Sequence, residues 1–317
     1  MAKLISADLT DNKLCILEYT TTDGQMLSFI DYELFDGEIV SHTYTNIGKI
    51  IFDKPITRIG ESAFRICSSL TSVTIPDSVT TIGNYAFNHC SSLTSVTIPD
   101  SVTTIGERAF TWCDSLTSVT IPDSVTTIGE GAFTWCKSLK EFKGKFAADG
   151  GRCLIIDGVL NAFALGRGVT QYTIPDSVTT IGGSAFCNCY SLTSVTIPDS
   201  VTTIGNYAFR RCSSLTSVTI PDSVTTIGNS AFNSCNNLKR VTIGKSVRKI
   251  GKEAFKGCNI DTIVCCPKIP PKINYYSFDR FEDLIVPTGC FDRFENLIVP
   301  TGCEEAYANS DWGQYLD

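Results

Sequence analysis

The sequence predicts a β-rich solenoid built from turns of 23 residues, and three observations lead there. Ala-Phe pairs fall at 63/64, 86/87, 109/110 and 132/133, then at 185/186, 208/209, 231/232 and 254/255, with a step of 23 residues inside each group. The stretch from Ser69 to Gly83 alternates apolar and polar residues through Val73, Thr74 and Ile75, as a strand with one buried face does, and it returns almost unchanged in each unit. One cysteine per unit keeps one phase: Cys67, Cys90, Cys113, Cys136, Cys189, Cys212, Cys235 and Cys258. A unit this short buries its apolar face only against its neighbours, so the repeats stack.

Taken in order, residues 1–58 carry no repeat. Leu14–Tyr19, Met26–Ile30 and Ile50–Phe52 read as short strands, with turns at Thr22-Asp23-Gly24 and Asp36-Gly37, which together form an N-terminal β cap over the first turn. The solenoid is expected over 59–260. Within a unit, Leu70, Val73 and Ile75 point inward and Ser72 and Thr74 outward; Pro76-Asp77 starts a turn. Val79 and Ile82 form a second extended piece. Gly83 permits a bend, and Ala86-Phe87 makes a brief helical or 3₁₀ turn.

The array is interrupted once, where 53 residues separate Phe133 from Phe186. A 30-residue variant unit accounts for this, with a hairpin within about 134–163 turning at Asp157-Gly158 and with Ala162-Phe163 supplying the missing pair. Residues 261–317 read as a C-terminal cap: a proline-rich run from Cys265 to Lys272, a tandem 13-residue duplication (Phe278–Cys290 and Phe291–Cys303), and a short amphipathic helix from Glu304 to Trp312.

Composition narrows the function classes. The chain has 317 residues, 43% hydrophobic and 19% charged, with a net charge of −7, which argues against a nucleic-acid partner or an anionic membrane surface. No apolar run is long enough to span a membrane, so no membrane insertion is expected. The first residues show no sustained apolar region, leaving open a chain that stays inside the cell and one whose leader has been removed. Of 15 cysteines, eight form the column named above, which reads as a reduced, buried ladder between the Phe and Leu ladders.

The unit Ser-Leu-Thr-Ser-Val-Thr-Ile-Pro-Asp-Ser-Val-Thr-Thr-Ile-Gly-x-x-Ala-Phe-x-x-Cys resembles the BspA-type leucine-rich repeats of bacterial surface proteins over roughly residues 50–260. Ile298–Tyr307 with Trp312 resembles the closing segment of such proteins, and Cys153–Leu160 their longer repeat variant. The resemblance implies a curved leucine-rich repeat solenoid, a right-handed superhelix, displayed at the cell surface. It also implies adhesion to host proteins, extracellular matrix included, or to other cells.

Comparing the units with one another separates scaffold from surface. The strand half barely changes; the changes cluster beside Ala-Phe and just before Cys, as at Asn88-His89, Thr111-Trp112, Thr134-Trp135 and Arg210-Arg211. His89, Trp112 and Trp135 share one position in successive turns and should stack along one flank, where an aromatic row suits a sugar ring or an apolar protein knob. With Arg211 they are the candidate ligand-binding residues; packing against one another over the core edge is the alternative. Asn188 and Gly257 at the same position point to a backbone tolerant of positive φ. The Asp column at 77, 100, 123, 176, 199 and 222 is expected to hold its own turns by Asx hydrogen bonds rather than to bind calcium. With two histidines in separate regions, no paired Cys-x-x-Cys and no phosphate loop, no catalytic residue, metal site or cofactor is expected. The sequence therefore points to a non-enzymatic scaffold for a protein or glycan partner. A structural repeat protein without a dedicated ligand, or an intracellular protein-binding module, is the alternative.

Overall fold

The computed structural model describes residues 15–27, 34–273, 277–278 and 296–312. Each repeat forms one turn of a β-solenoid with two short strands. Ser72, Val73 and Thr74 pair in parallel with Ser95, Val96 and Thr97, and Thr81-Ile82 lies between Arg58-Ile59 and Thr104-Ile105. Like residue faces like residue because the repeat length equals the turn length. A one-residue slip would drive threonines into the core, so the register is fixed.

At the Pro-Asp corner the backbone closes the turn, Val79 N–H donating to the Pro76 carbonyl at 3.0 Å. The Asx bonds expected there are not what holds it. Ser101 Oγ instead donates to the Val79 carbonyl one turn earlier at 2.7 Å, and Asp222 accepts from the backbone N–H and Nζ of Lys245 one turn later, at 2.9 and 2.7 Å. The glycine that follows Thr-Ile answers a different need from the expected bend. A Cβ on Gly129 would lie 2.3 Å from the Glu107 backbone nitrogen, so the close approach of adjoining turns excludes a side chain.

The core is a set of columns. Phe64, Phe87, Phe110 and Phe133 stack with ring centroids 5.1, 5.2 and 5.4 Å apart and planes within 7°. Phe186, Phe209, Phe232, Phe255 and Phe278 stack likewise at 5.0 to 5.2 Å. The strand spacing of about 4.8 Å sets this interval, and parallel rings so spaced must be offset, a favourable aromatic geometry. Beside them runs the cysteine column. The thiols of Cys90, Cys113, Cys136, Cys212 and Cys235 are fully buried. Each donates to the carbonyl of the Phe in the preceding turn at 3.1 to 3.3 Å. All 14 described cysteines are free, as a reduced ladder requires.

Both ends of the stack are covered. Cys15–Thr21 pairs antiparallel with Gly48–Phe52 and with Leu70–Thr74, closing the edge of the first repeat strand. Ile39–Tyr44, an edge strand without clean alternation and for that reason not anticipated, flanks Gly48–Phe52. Of the strand expected at Met26–Ile30, Met26 and Leu27 are not extended ladder and the rest lies outside the described residues. At the other end Thr262–Cys265 pairs with Arg240–Ile243 and with Asn296–Ile298. The latter strand belongs to the second copy of the 13-residue duplication; the first lies almost entirely outside the described residues. The helix Glu304–Ala308 brings Tyr307 Oη to the Pro267 carbonyl at 2.8 Å, and Trp312 Nε1 reaches the Pro271 carbonyl at 3.0 Å. Among the described residues no helix is long and apolar enough to cross a membrane.

The variant unit makes the single break. Cys153–Ile156 pairs antiparallel with Val159–Phe163 through Asp157-Gly158, whose φ values of 49° and 76° suit a two-residue hairpin turn. Leu160 pairs with Ile181 and Tyr172 with Val195, so both ladders restart in the unit and run on into the following turns, whereas Thr127–Ile128 and Glu141–Lys143 end the ladders of the preceding ones. What it lacks is the Ala-Phe-x-x-Cys turn. Ala162 and Phe163 lie in the hairpin strand, Phe163 packing on Phe186 at 4.8 Å, and a three-residue 3₁₀ turn, Leu165–Arg167, replaces the longer segment.

Candidate functional site

The Ala-Phe-x-x-Cys segments form one flank of the solenoid, and their hydrogen bonding explains its shape. The N–H groups of Ala86, Asn88 and Cys90 donate within their own turn, to the carbonyls of Gly83, Tyr85 and Phe87. Those of Tyr85, Phe87 and His89 donate to Glu107, Ala109 and Thr111 of the next turn. Alternate amides pointing outward cannot make a helix, so the expected helical piece is a run of tight turns with left-handed residues between them. The residue before each Cys is one of these: φ is 61° at His89, 65° at Trp112, 66° at Trp135, 69° at Asn188, 60° at Arg211 and 75° at Gly257.

The four sequence candidates share this flank. His89 stacks on Trp112 at 5.4 Å, and Trp112 on Trp135 at 4.1 Å with planes 7° apart. Trp135 next meets Tyr190 at 6.0 Å, and the Arg211 guanidinium lies over Trp135 at 5.7 Å. Lys137 Nζ sits 5.1 Å from the Trp112 ring and 5.8 Å from the Trp135 ring, and also pairs with Asp114 at 3.0 Å. His89 is exposed whereas the neighbouring Cys90 is buried, so the two share no reaction centre.

Tyr190 and Lys137 were not singled out in the sequence. Both occupy the position after Cys, where Ser91 and Ser213 stand in other turns, and comparison at that position would have found them. Their proximity follows from the variant unit. With no Ala-Phe turn between them, the Phe133 and Phe186 turns face each other across a seam. It holds a cavity of about 130 Å³ lined by Trp135, Phe163, Leu165, Asn188 and Tyr190 among others. Burial raises the Tyr190 hydroxyl above its ordinary pKa and pushes the nearby Cys187 thiol up to about 11, so neither ionises at neutral pH. The Glu130 carboxyl, raised by burial too, lies against Gly183 at the opposite end of the seam. Among the described residues, no group of three or more His, Cys, Asp and Glu side chains could hold a metal ion.

Comparison with known proteins agrees with this architecture. The profile of the BspA type leucine rich repeat region matches residues 40–147 and 160–285 in 6 copies. Among solved structures, a leucine rich cell surface protein from Faecalibacterium prausnitzii is 30% identical, with a TM-score of 0.52 over 67% of this chain and 71% of that one. A leucine-rich repeat protein from Eubacterium ventriosum is 26% identical, with a TM-score of 0.51 over 66% of this chain and 64% of that one. No curated protein matches the chain.

Proposed function

Because the chain belongs to the BspA-type leucine-rich repeat family, we propose that it is a non-enzymatic protein-interaction scaffold, displayed at the cell surface, whose recognition surface is the flank of Ala-Phe turns. The observation that carries this reading is the coincidence of two features. The residues that vary between otherwise near-identical units lie on that flank, and there His89, Trp112 and Trp135 form a stack that Tyr190 meets at a tilt. Regular strands need no variation, whereas a surface that chooses a partner needs groups its neighbours lack.

The same geometry favours a protein over a sugar. Stacking a sugar ring requires an open aromatic face. Here Trp112 has His89 on one face and Trp135 on the other, and Trp135 has Tyr190 and Arg211 beyond it. What remains is aromatic edges interleaved with cations, which suits the mixed apolar and charged surface of a protein. The cell-surface location rests on the family and on the solved surface protein from F. prausnitzii. The test is binding of the full chain to arrays of extracellular matrix proteins and of glycans, repeated with Trp112→Ala and Trp135→Ala. A protein ligand lost in both variants is the expected result. Protein binding unchanged by either variant, or binding to neutral glycans alone, would overturn this reading.

A further inference from the structure

The net charge of −7 conceals a strongly cationic end of the solenoid. Nine of the 26 Lys and Arg residues fall between Lys239 and Lys272, against two acids, Glu253 and Asp261, so this segment carries +7 and the rest of the chain −14. All nine are exposed. Residues 213–238, the unit before it, contain neither Lys nor Arg. The cations replace polar residues at matched positions. Arg240 stands beside Ser217 and Lys249 beside Thr226 in the parallel ladders, and Arg248 follows Thr225 and Lys245 follows Asp222 at the same interval of 23. Threonine, serine or aspartate serves these positions in the other turns, so folding does not require the charge.

Ion pairing absorbs only part of this charge. Lys239 pairs with Asp261 at 3.3 Å, Lys245 with Asp222 at 2.7 Å and Lys256 with Glu253 at 3.7 Å. Arg248, Lys249 and Lys272 have no ion pair among the described residues, and they lie together on the short-strand side. Lys272 N–H donates to the Arg248 carbonyl at 2.9 Å, and Lys249 faces Lys272 across a parallel bridge. Residues so paired project to the same side about 4.8 Å apart, and like charges at that separation oppose the ladder. Threonines lead up to them. Thr225 Oγ1 donates to the Thr202 carbonyl and Thr202 Oγ1 to the Thr179 carbonyl, each at 3.3 Å, which leaves hydroxyl lone pairs free to accept. Hydroxyl acceptors running into three cations suit a chain that carries both hydroxyl donors and anionic groups. We propose that this side of the solenoid binds an acidic polysaccharide along its axis, with sugar hydroxyls on Thr202 and Thr225 and sulfate or carboxylate groups on Arg248, Lys249 and Lys272. None of these residues belongs to the aromatic stack, so the proposal stands or falls independently of the protein-binding flank.

The experiment measures binding of the full chain to heparin (sulfated), polygalacturonate (carboxylated) and neutral dextran at about 0.15 M salt, where exposed charges more than about 8 Å apart are largely screened. Binding to at least one acidic polysaccharide and none to dextran is expected; which one binds identifies the anionic group. The combined variant Arg248→Thr, Lys249→Thr and Lys272→Thr, which places the threonine of other turns at the first two positions, should keep its melting curve and lose affinity at least tenfold. Removing equal charge at the opposite end, with Lys54→Thr, Arg58→Thr and Arg65→Thr, should change affinity less than twofold, as should Trp112→Ala. No binding to either acidic polysaccharide, or an equal loss in the opposite-end variant, would overturn the proposal. So would equal affinity for duplex DNA or for phosphatidylglycerol vesicles, since the surface would then answer to charge alone.

Discussion

Trp112 and Trp135 stack with centroids 4.1 Å apart and planes 7° from parallel, closer than any Phe pair in the core columns. Two indoles so near couple their transitions. Trp135→Ala should remove the corresponding couplet from the ultraviolet circular dichroism and cost about 0.5–1.5 kcal/mol beyond the lost buried area, the usual worth of an aromatic pair. A spectrum and melting curve unchanged by the substitution would show the stack to be absent in solution.

The cysteine column makes stability depend on alkaline pH. Burial pushes the Cys136 thiol up to about 12 and raises Cys90, Cys113, Cys212 and Cys235 well above the ordinary thiol value. In the unfolded chain the same thiols titrate near about 8.5. Between these limits the unfolded state gives up protons that the folded state keeps, so stability is full below pH about 8.5 and falls as pH rises towards 12. Denaturant midpoints measured across this range should decline, and Cys113→Ala together with Cys136→Ala should flatten the decline.

At neutral pH the same burial predicts slow thiol chemistry. A thiol reagent should label Cys258, Cys266 and Cys303, all only partly buried, before the buried thiols of the column, and label those only as fast as the protein opens. Rapid modification of Cys90 or Cys113 in the native chain would contradict the buried, hydrogen-bonded arrangement.

Gly129→Ala tests the close approach of the turns. The added Cβ would meet backbone atoms of Glu107 and Gly106 at 2.3 to 2.6 Å, and backbone held by ladders on both sides cannot yield cheaply. A loss of about 1–3 kcal/mol or more is expected in equilibrium unfolding. Gly150→Ala is the control on space: nothing lies within 4 Å of its Cβ, and its φ of +64° limits the cost to the smaller penalty of a left-handed residue.

Trp312 closes the phenylalanine column, its ring 5.4 Å from Phe278 and its Nε1 on the Pro271 carbonyl. Trp312→Ala should cost about 3–5 kcal/mol locally. Hydrogen exchange should speed up first at Thr262–Cys265 and only weakly at Thr81-Ile82, because a solenoid turn feels its neighbours more than distant turns.

Much of this molecule is legible from its repeat. The positions of Val73, Ile82, Phe87 and Cys90 follow from period and alternation alone, and the stack of His89, Trp112 and Trp135 follows from their shared phase. Asp157-Gly158 likewise has the chemistry its turn requires. The role of Gly83 and its equivalents was not legible, since a glycine needed for closeness and one needed for a bend look the same in a single sequence. Nor was the meeting of Trp135 with Tyr190. It depends on the variant unit omitting a turn, and in the sequence the 53-residue interval between Phe133 and Phe186 reads as supplying the missing pair through Ala162-Phe163. Those two residues went to the hairpin because pairing with Cys153 and Leu154 satisfies their backbone groups locally.

That omission bears on how the chain folds. Every regular rung joins residues 23 apart, so closing each successive turn costs the same loop entropy however long the protein grows, and structure can spread outward from any nucleus. At the hairpin this uniform zipper stops. Leu154 and Ala162 join the core of the preceding turns whereas Leu160 and Phe163 join that of the following ones. Two growing fronts therefore meet at the variant unit, and it is the step at which the two halves of the solenoid become a single cooperative body.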